Sequence, residues 1–91
     1  MVRWGIIGLG NIAKRFAKSL EYEKDGKLVA VAGKTENKRM YFKEAYKDVK
    51  VYESYDELFN DQDIDAVYIA LPHRFHAKWS IRGLNKGKAI L

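Results

Sequence analysis

Short apolar runs alternate along the chain with longer stretches in which apolar residues recur every third or fourth position. Residues 2–7, 28–32, 49–52, 66–71 and 88–91 are predicted strands. The second and fourth lack polar alternation, as expected of strands covered on both faces. Residues 11–22 are predicted helical, with Asn11 as the cap and Ile12, Phe16 and Leu20 as the buried stripe. A second helix is expected from Thr35 or Asn37 to Tyr46, although Met40, Phe42 and Ala45 make no clean stripe. Ser54-Tyr55-Asp56-Glu57 reads as a capping box opening a short third helix that contains Leu58 and Phe59. A fourth helix is expected over residues 76–85, with Trp79, Ile81 and Leu84 among its apolar positions and Asn85-Lys86-Gly87 as its stop.

Strands alternating with helices of these lengths imply an α/β fold: a parallel sheet with right-handed crossovers and helices on both faces. The expected strand order is 3-2-1-4-5, with a ligand at the carboxyl edge near strands one and four, where the order reverses. One domain over residues 1–91 is expected at this length.

The chemistry concentrates at the first strand's end. Gly8-Leu9-Gly10-Asn11-Ile12-Ala13 joins the strand to the helix. Gly8 permits a tight turn, Gly10 lets backbone N–H groups approach a pyrophosphate, and Ala13 lets the helix pack close. The helix start supplies unpaired donors and partial positive charge. A lone motif of this kind also arises in ordinary turns. Here a second strand follows, and Gly33-Lys34-Thr35-Glu36 stands about 20 residues beyond the turn, where such folds read the adenosine ribose. An acid there favours NAD and a base favours the 2′-phosphate of NADP. Lys34, with the Thr35 hydroxyl and Lys38, favours NADP. The alternative is a solvated Lys34 with Glu36 turned back to the ribose.

Composition narrows the field. The chain has no cysteine, which excludes disulfides and thiolate metal sites and fits a reducing, cytoplasmic setting. The longest uncharged run is too short to span a bilayer, and the N-terminus does not read as a secretory signal. The net charge is +5, but the lysines are scattered and read as a solvated surface or a complement to an anionic cofactor, not as a nucleic-acid interface. His73 and His76 lack further ligands nearby and read as capping and packing residues before cofactor contacts or a metal site. Trp4, Trp79 and the tyrosines read as packing.

Three segments in order resemble the glucose–fructose oxidoreductase / inositol dehydrogenase / MocA (Gfo/Idh/MocA) family. They are Arg3-Trp4-Gly5-Ile6-Ile7-Gly8-Leu9-Gly10-Asn11-Ile12-Ala13, the stretch from Asp63 through Leu71-Pro72-His73-Arg74-Phe75-His76, and Gly83-Leu84-Asn85-Lys86-Gly87-Lys88-Ala89-Ile90-Leu91. The dihydrodiol- and xylose-dehydrogenase-like branch is the nearest in pattern. The resemblance implies a three-layer Rossmann-type sheet binding NADP or NAD, within an oxidoreductase that moves hydride to or from a sugar, cyclitol or related alcohol. It implies that Gly8, Gly10, Asn11 and Ile12 face the pyrophosphate. Gly33, Lys34 and Thr35 would face the ribose or its phosphate. Leu71, Pro72 and His73 would lie on the nicotinamide side, with His76 behind. No catalytic residue is assigned, because the family's Glu-Lys-Pro motif and later acid–base residues would fall beyond Leu91. The expectation is therefore the front of a cofactor domain, truncated after the fifth strand, inactive alone and prone to self-association or marginal stability. A non-catalytic NAD(P)H-sensing module is the alternative.

Overall fold

The computed structural model describes all residues, 1–91. Five parallel strands lie in the order β3-β2-β1-β4-β5, as the alternation implied. They are β1 (Val2–Ile7), β2 (Gly26–Ala32), β3 (Lys50–Tyr52), β4 (Ala66–Ile69) and β5 (Ala89–Ile90), connected by α1 (Asn11–Leu20), α2 (Glu36–Ala45), α3 (Tyr55–Phe59) and α4 (His73–Asn85). The chain builds outward through β2 and β3, then crosses back to lay β4 on the other side of β1.

Strand alternation splits the core into two layers. Ile6 and Val31 face α1 and α2, where they meet Ala13, Ala17 and Phe42. Ile7, Ala30, Ala32, Val67 and Ile69 face the opposite side, where Tyr55, Leu58 and Phe59 cover them and Trp79 of α4 packs alongside. Phe42 is fully buried and alone anchors α2, which explains why that helix showed no stripe.

Several boundaries differ from expectation. Gly10, not Asn11, is the N-cap of α1, and no side chain caps that helix. Its buried positions are Ala13, Ala17 and Leu20, while Phe16 is half-buried and Ile12 is 57% exposed. At about 100° per residue, a helix held to the sheet through Ala13 and Ala17 turns Ile12 to the rim. β2 begins at Gly26, inside the expected polar turn, because Val2 N–H donates to Asp25 O at 2.6 Å and brings the turn onto the sheet. β4 ends at Ile69, before Leu71. α4 starts at His73 because Pro72 sits at its N-cap, where a missing N–H costs nothing. The Ser54 cap forms as expected, with Glu57 N–H donating to Ser54 Oγ at 3.4 Å. Helix α2 starts after Thr35, one of the two expected positions. No helix is long and apolar enough to cross a membrane.

Candidate functional site

Three loops meet at the carboxyl ends of β1, β2 and β4, where the strand order reverses. Between them lies a cleft of about 290 Å³. The first loop contributes Gly8, Leu9 and Gly10; the second Gly33, Lys34, Thr35 and Lys38; the third Ala70, Leu71 and Pro72, with Tyr55 as part of the wall. Gly8, Gly10, Gly33, Lys34, Thr35, Leu71 and Pro72 are thus brought together as the sequence suggested. Asn11 and Ile12 begin α1 just outside the lining, and both are exposed. His73 is exposed at the start of α4. His76 is turned along the helix, with Nδ1 3.2 Å from Ser80 Oγ.

Each glycine has its own reason. Gly8 has φ +85°, and a Cβ there would stand 2.7 Å from Ala70 O, so the β1 turn and the β4 loop touch through backbone. Gly8 N–H continues the ladder to Ala32 O at 3.0 Å, and Ala70 N–H does the same to Ile7 O at 2.9 Å. A Cβ on Gly33 would meet the Leu9 side chain at 2.6 Å, which locks the first loop over the second. Gly10 is different. Its backbone is extended (φ −89°, ψ −161°), and a Cβ there would meet no protein atom within 4 Å. Neither strain nor packing requires glycine at that position.

The electrostatics favour an anion. The first N–H groups of α1 have no intrahelical acceptor, no side chain caps them, and the first turn carries no acid. By contrast, α3 has a serine cap with Asp56 and Glu57 in its first turn. The Lys34 ammonium lies 5.3 Å from the centre of the Tyr55 ring at the cleft's far end. Burial pushes the Tyr55 hydroxyl above its usual value, so it stays a neutral phenol near neutral pH. Glu36 does not line the cleft; Lys38 does.

Sequence reasoning missed Arg39. Its Nη1 donates to Gly33 O at 2.8 Å and its Nη2 lies 3.7 Å from Glu53 Oε1. A cation paired with a backbone carbonyl leaves no trace in residue spacing. Tyr55 was missed too, hidden inside a capping box.

A doubly wound parallel sheet with a glycine turn, an open helix start and a basic second loop at its switch point defines a dinucleotide-binding fold. The comparisons agree. A family model described as an oxidoreductase family with an NAD-binding Rossmann fold matches residues 2–91, and the chain belongs to that family. Among its relatives, the trans-1,2-dihydrobenzene-1,2-diol dehydrogenase of Mus musculus is 35% identical over 92 residues, covering 99% of this chain and 28% of that protein. The D-xylose 1-dehydrogenase (NADP(+)) of Hypocrea jecorina is 33% identical, covering 99% of this chain and 26% of that protein. A crystal structure of a 3-ketoreductase from Actinomadura kijaniata, in complex with NADP and TDP-benzene, superposes with a TM-score of 0.90 at 36% identity, covering 99% of this chain and 28% of that one. The chain thus spans little more than a quarter of the length of these relatives.

Proposed function

We propose that this chain is the nicotinamide-dinucleotide-binding part of a cytoplasmic oxidoreductase acting on a sugar, cyclitol or related alcohol, with NADP preferred over NAD. The observation that carries the reading is the open space over Gly10 beside the uncapped start of α1. A diphosphate placed there would meet backbone N–H donors and the positive end of the helix, with no side chain to displace. Gly8 holds the turn that aims those donors. Asn11 and Ile12, the first residues of α1, present their N–H groups from the helix side.

Lys34, Thr35 and Lys38 carry the preference for NADP. They offer two ammonium groups and a hydroxyl at the end of β2, and no carboxylate lines the cleft. Gly33 packs beneath Leu9 and so ties the loop that carries them to the glycine turn. Leu71 and Pro72 form the apolar wall on the β4 side, where we place the nicotinamide, with His73 at its rim and His76 behind it. The bound dinucleotide supplies hydride chemistry. The residues of this chain bind it, orient it and shield one side of it. We assign substrate choice, proton transfer and any homo-oligomer contact to the complete enzyme.

A two-dimensional amide NMR titration of the labelled chain tests this. NADPH is expected to shift residues 8–13 and Lys34, and NADH is expected to move the same glycine turn with a smaller effect at Lys34. A well-dispersed spectrum that ignores both nucleotides would overturn the proposal.

A further inference from the structure

Arg39 is tied to the β2 loop at two points. Its backbone N–H donates to Thr35 O at 3.1 Å, and its guanidinium Nη1 donates to Gly33 O at 2.8 Å. These two carbonyls flank Lys34 in the chain. The first bond is the opening i→i−4 bond of α2, which any residue at 39 would make; the guanidinium bond to Gly33 is what the Arg39 side chain adds, on the peptide just before Lys34. The Arg39 side chain is only 16% exposed, whereas its ionic partner Glu53 is 83% exposed. A guanidinium bonded to a carbonyl is directional as well as charge-assisted, because its planar fork fixes the angle of approach. Gly33 is pinned from the other side as well: its N–H donates to Tyr52 O at 3.2 Å, and Leu9 lies over its α-carbon. The Lys34 ammonium makes no hydrogen bond or ion pair and lies 5.3 Å from the centre of the Tyr55 ring. The backbone beneath Lys34 is therefore fixed while its ammonium stays available.

We infer that Arg39 is a positioning residue for nucleotide selection: it clasps the turn of residues 33–35 so that Lys34 is presented to the 2′-phosphate of an NADP-type dinucleotide. The inference rests on the dinucleotide reading of the cleft. Arg39 itself does not touch the phosphate. Its Nη1 is committed to Gly33 O, and Glu53 offsets part of its charge. Lys34 supplies the charge that discriminates, and Arg39 supplies the geometry.

The test compares the wild-type chain with Arg39→Met, Arg39→Lys, Lys34→Met and the Arg39→Met/Lys34→Met double variant. Calorimetric titration with NADPH and NADH reads selection. Amide hydrogen exchange without nucleotide reads the clasp. Arg39→Met is expected to lose about tenfold in NADPH affinity and less than about twofold in NADH affinity, the scale of one hydrogen bond to a charged group. Lys34→Met should behave alike, and the double variant should lose no more than the larger single loss, because one residue acts through the other. Arg39→Lys keeps the charge without the fork and should recover little. Exchange at the amides of Gly33 and of residue 39 should quicken in Arg39→Met while that of α1 stays unchanged.

An unaltered NADPH-to-NADH ratio in Arg39→Met, or additive losses in the double variant, overturns the selection role. Unaltered exchange at Gly33 beside an intact wild-type NADPH preference overturns the clasp alone. A wild-type chain that binds neither nucleotide overturns the dinucleotide reading and the selection role with it, and the exchange result then still decides whether Arg39 holds the turn.

Discussion

Gly8 and Gly10 stand two residues apart in one turn, yet the structure asks different things of them. At Gly8 a methyl group would be driven into the Ala70 carbonyl, on a backbone already at positive φ. Gly8→Ala is expected to destabilise the fold by about 2 kcal/mol or more, read as a lower urea midpoint. At Gly10 a methyl group would meet nothing, and the backbone angles suit any residue. Gly10→Ala should cost no more than about 1 kcal/mol of the stability read from urea unfolding, the scale of placing alanine at an N-cap. It should nonetheless weaken nucleotide binding. A Gly10→Ala chain that binds NADPH as tightly as wild type would show that the space over Gly10 is not the pyrophosphate seat. The motif itself was legible from spacing. So were the separate roles expected of its two glycines; the contact of Gly8 with Ala70 was not, because it joins two strand ends that only the fold brings together.

Among elements, the loop joining α3 to β4 carries most of the charge pairing. Asp65 accepts from Arg3 N, Nε and Nη2 at 2.8–3.0 Å, which holds its carboxyl down at about 2. Burial pushes the Asp61 carboxyl up, but hydrogen bonds from the Tyr52 hydroxyl, the Asp63 N–H and Lys50 outweigh it and leave it below its usual value. Both groups titrate lower in the folded chain than in the unfolded one. Their stabilisation is therefore complete above about pH 4 and is lost as the pH falls from there towards 2. Thermal midpoints should be flat from pH 7 to about 5 and fall steeply below 4, less steeply in Asp61→Asn. A midpoint unchanged down to pH 3 would contradict this.

Element types and order were legible because buried parallel strands leave unbroken apolar runs. The α1 face was misread because the large residues Ile12, Phe16 and Leu20 have helical spacing, while the contact with the sheet is made by the smaller Ala13 and Ala17. The start of α4 was placed a turn late because Pro72 looks like a stop and serves as an N-cap. The capping box was legible because its residues are local. Arg39 was not, since its partners are a carbonyl and a side chain brought together only by the fold.

At the scale of the whole molecule, Ile81 and Leu84 of α4, a helix packed on the sheet, are each more than half exposed. Exposed apolar surface favours association. The chain is expected to self-associate with rising concentration in sedimentation, and Ile81→Lys with Leu84→Lys should suppress it. A monomer over a wide concentration range would count against the idea.

The two tryptophans lie on opposite faces of the sheet. Trp4 meets Phe16 edge-on at 5.0 Å, whereas Trp79 sits against Tyr55 at 5.0 Å and Phe59 at 6.1 Å. The chain therefore carries one tryptophan in each helical layer. Under excitation selective for tryptophan, Trp4→Phe emits only from the layer beside Lys34 and Tyr55, and Trp79→Phe only from the layer beneath α1. The order in which the two halves of the core loosen thus becomes an optical question, answerable without any attached dye.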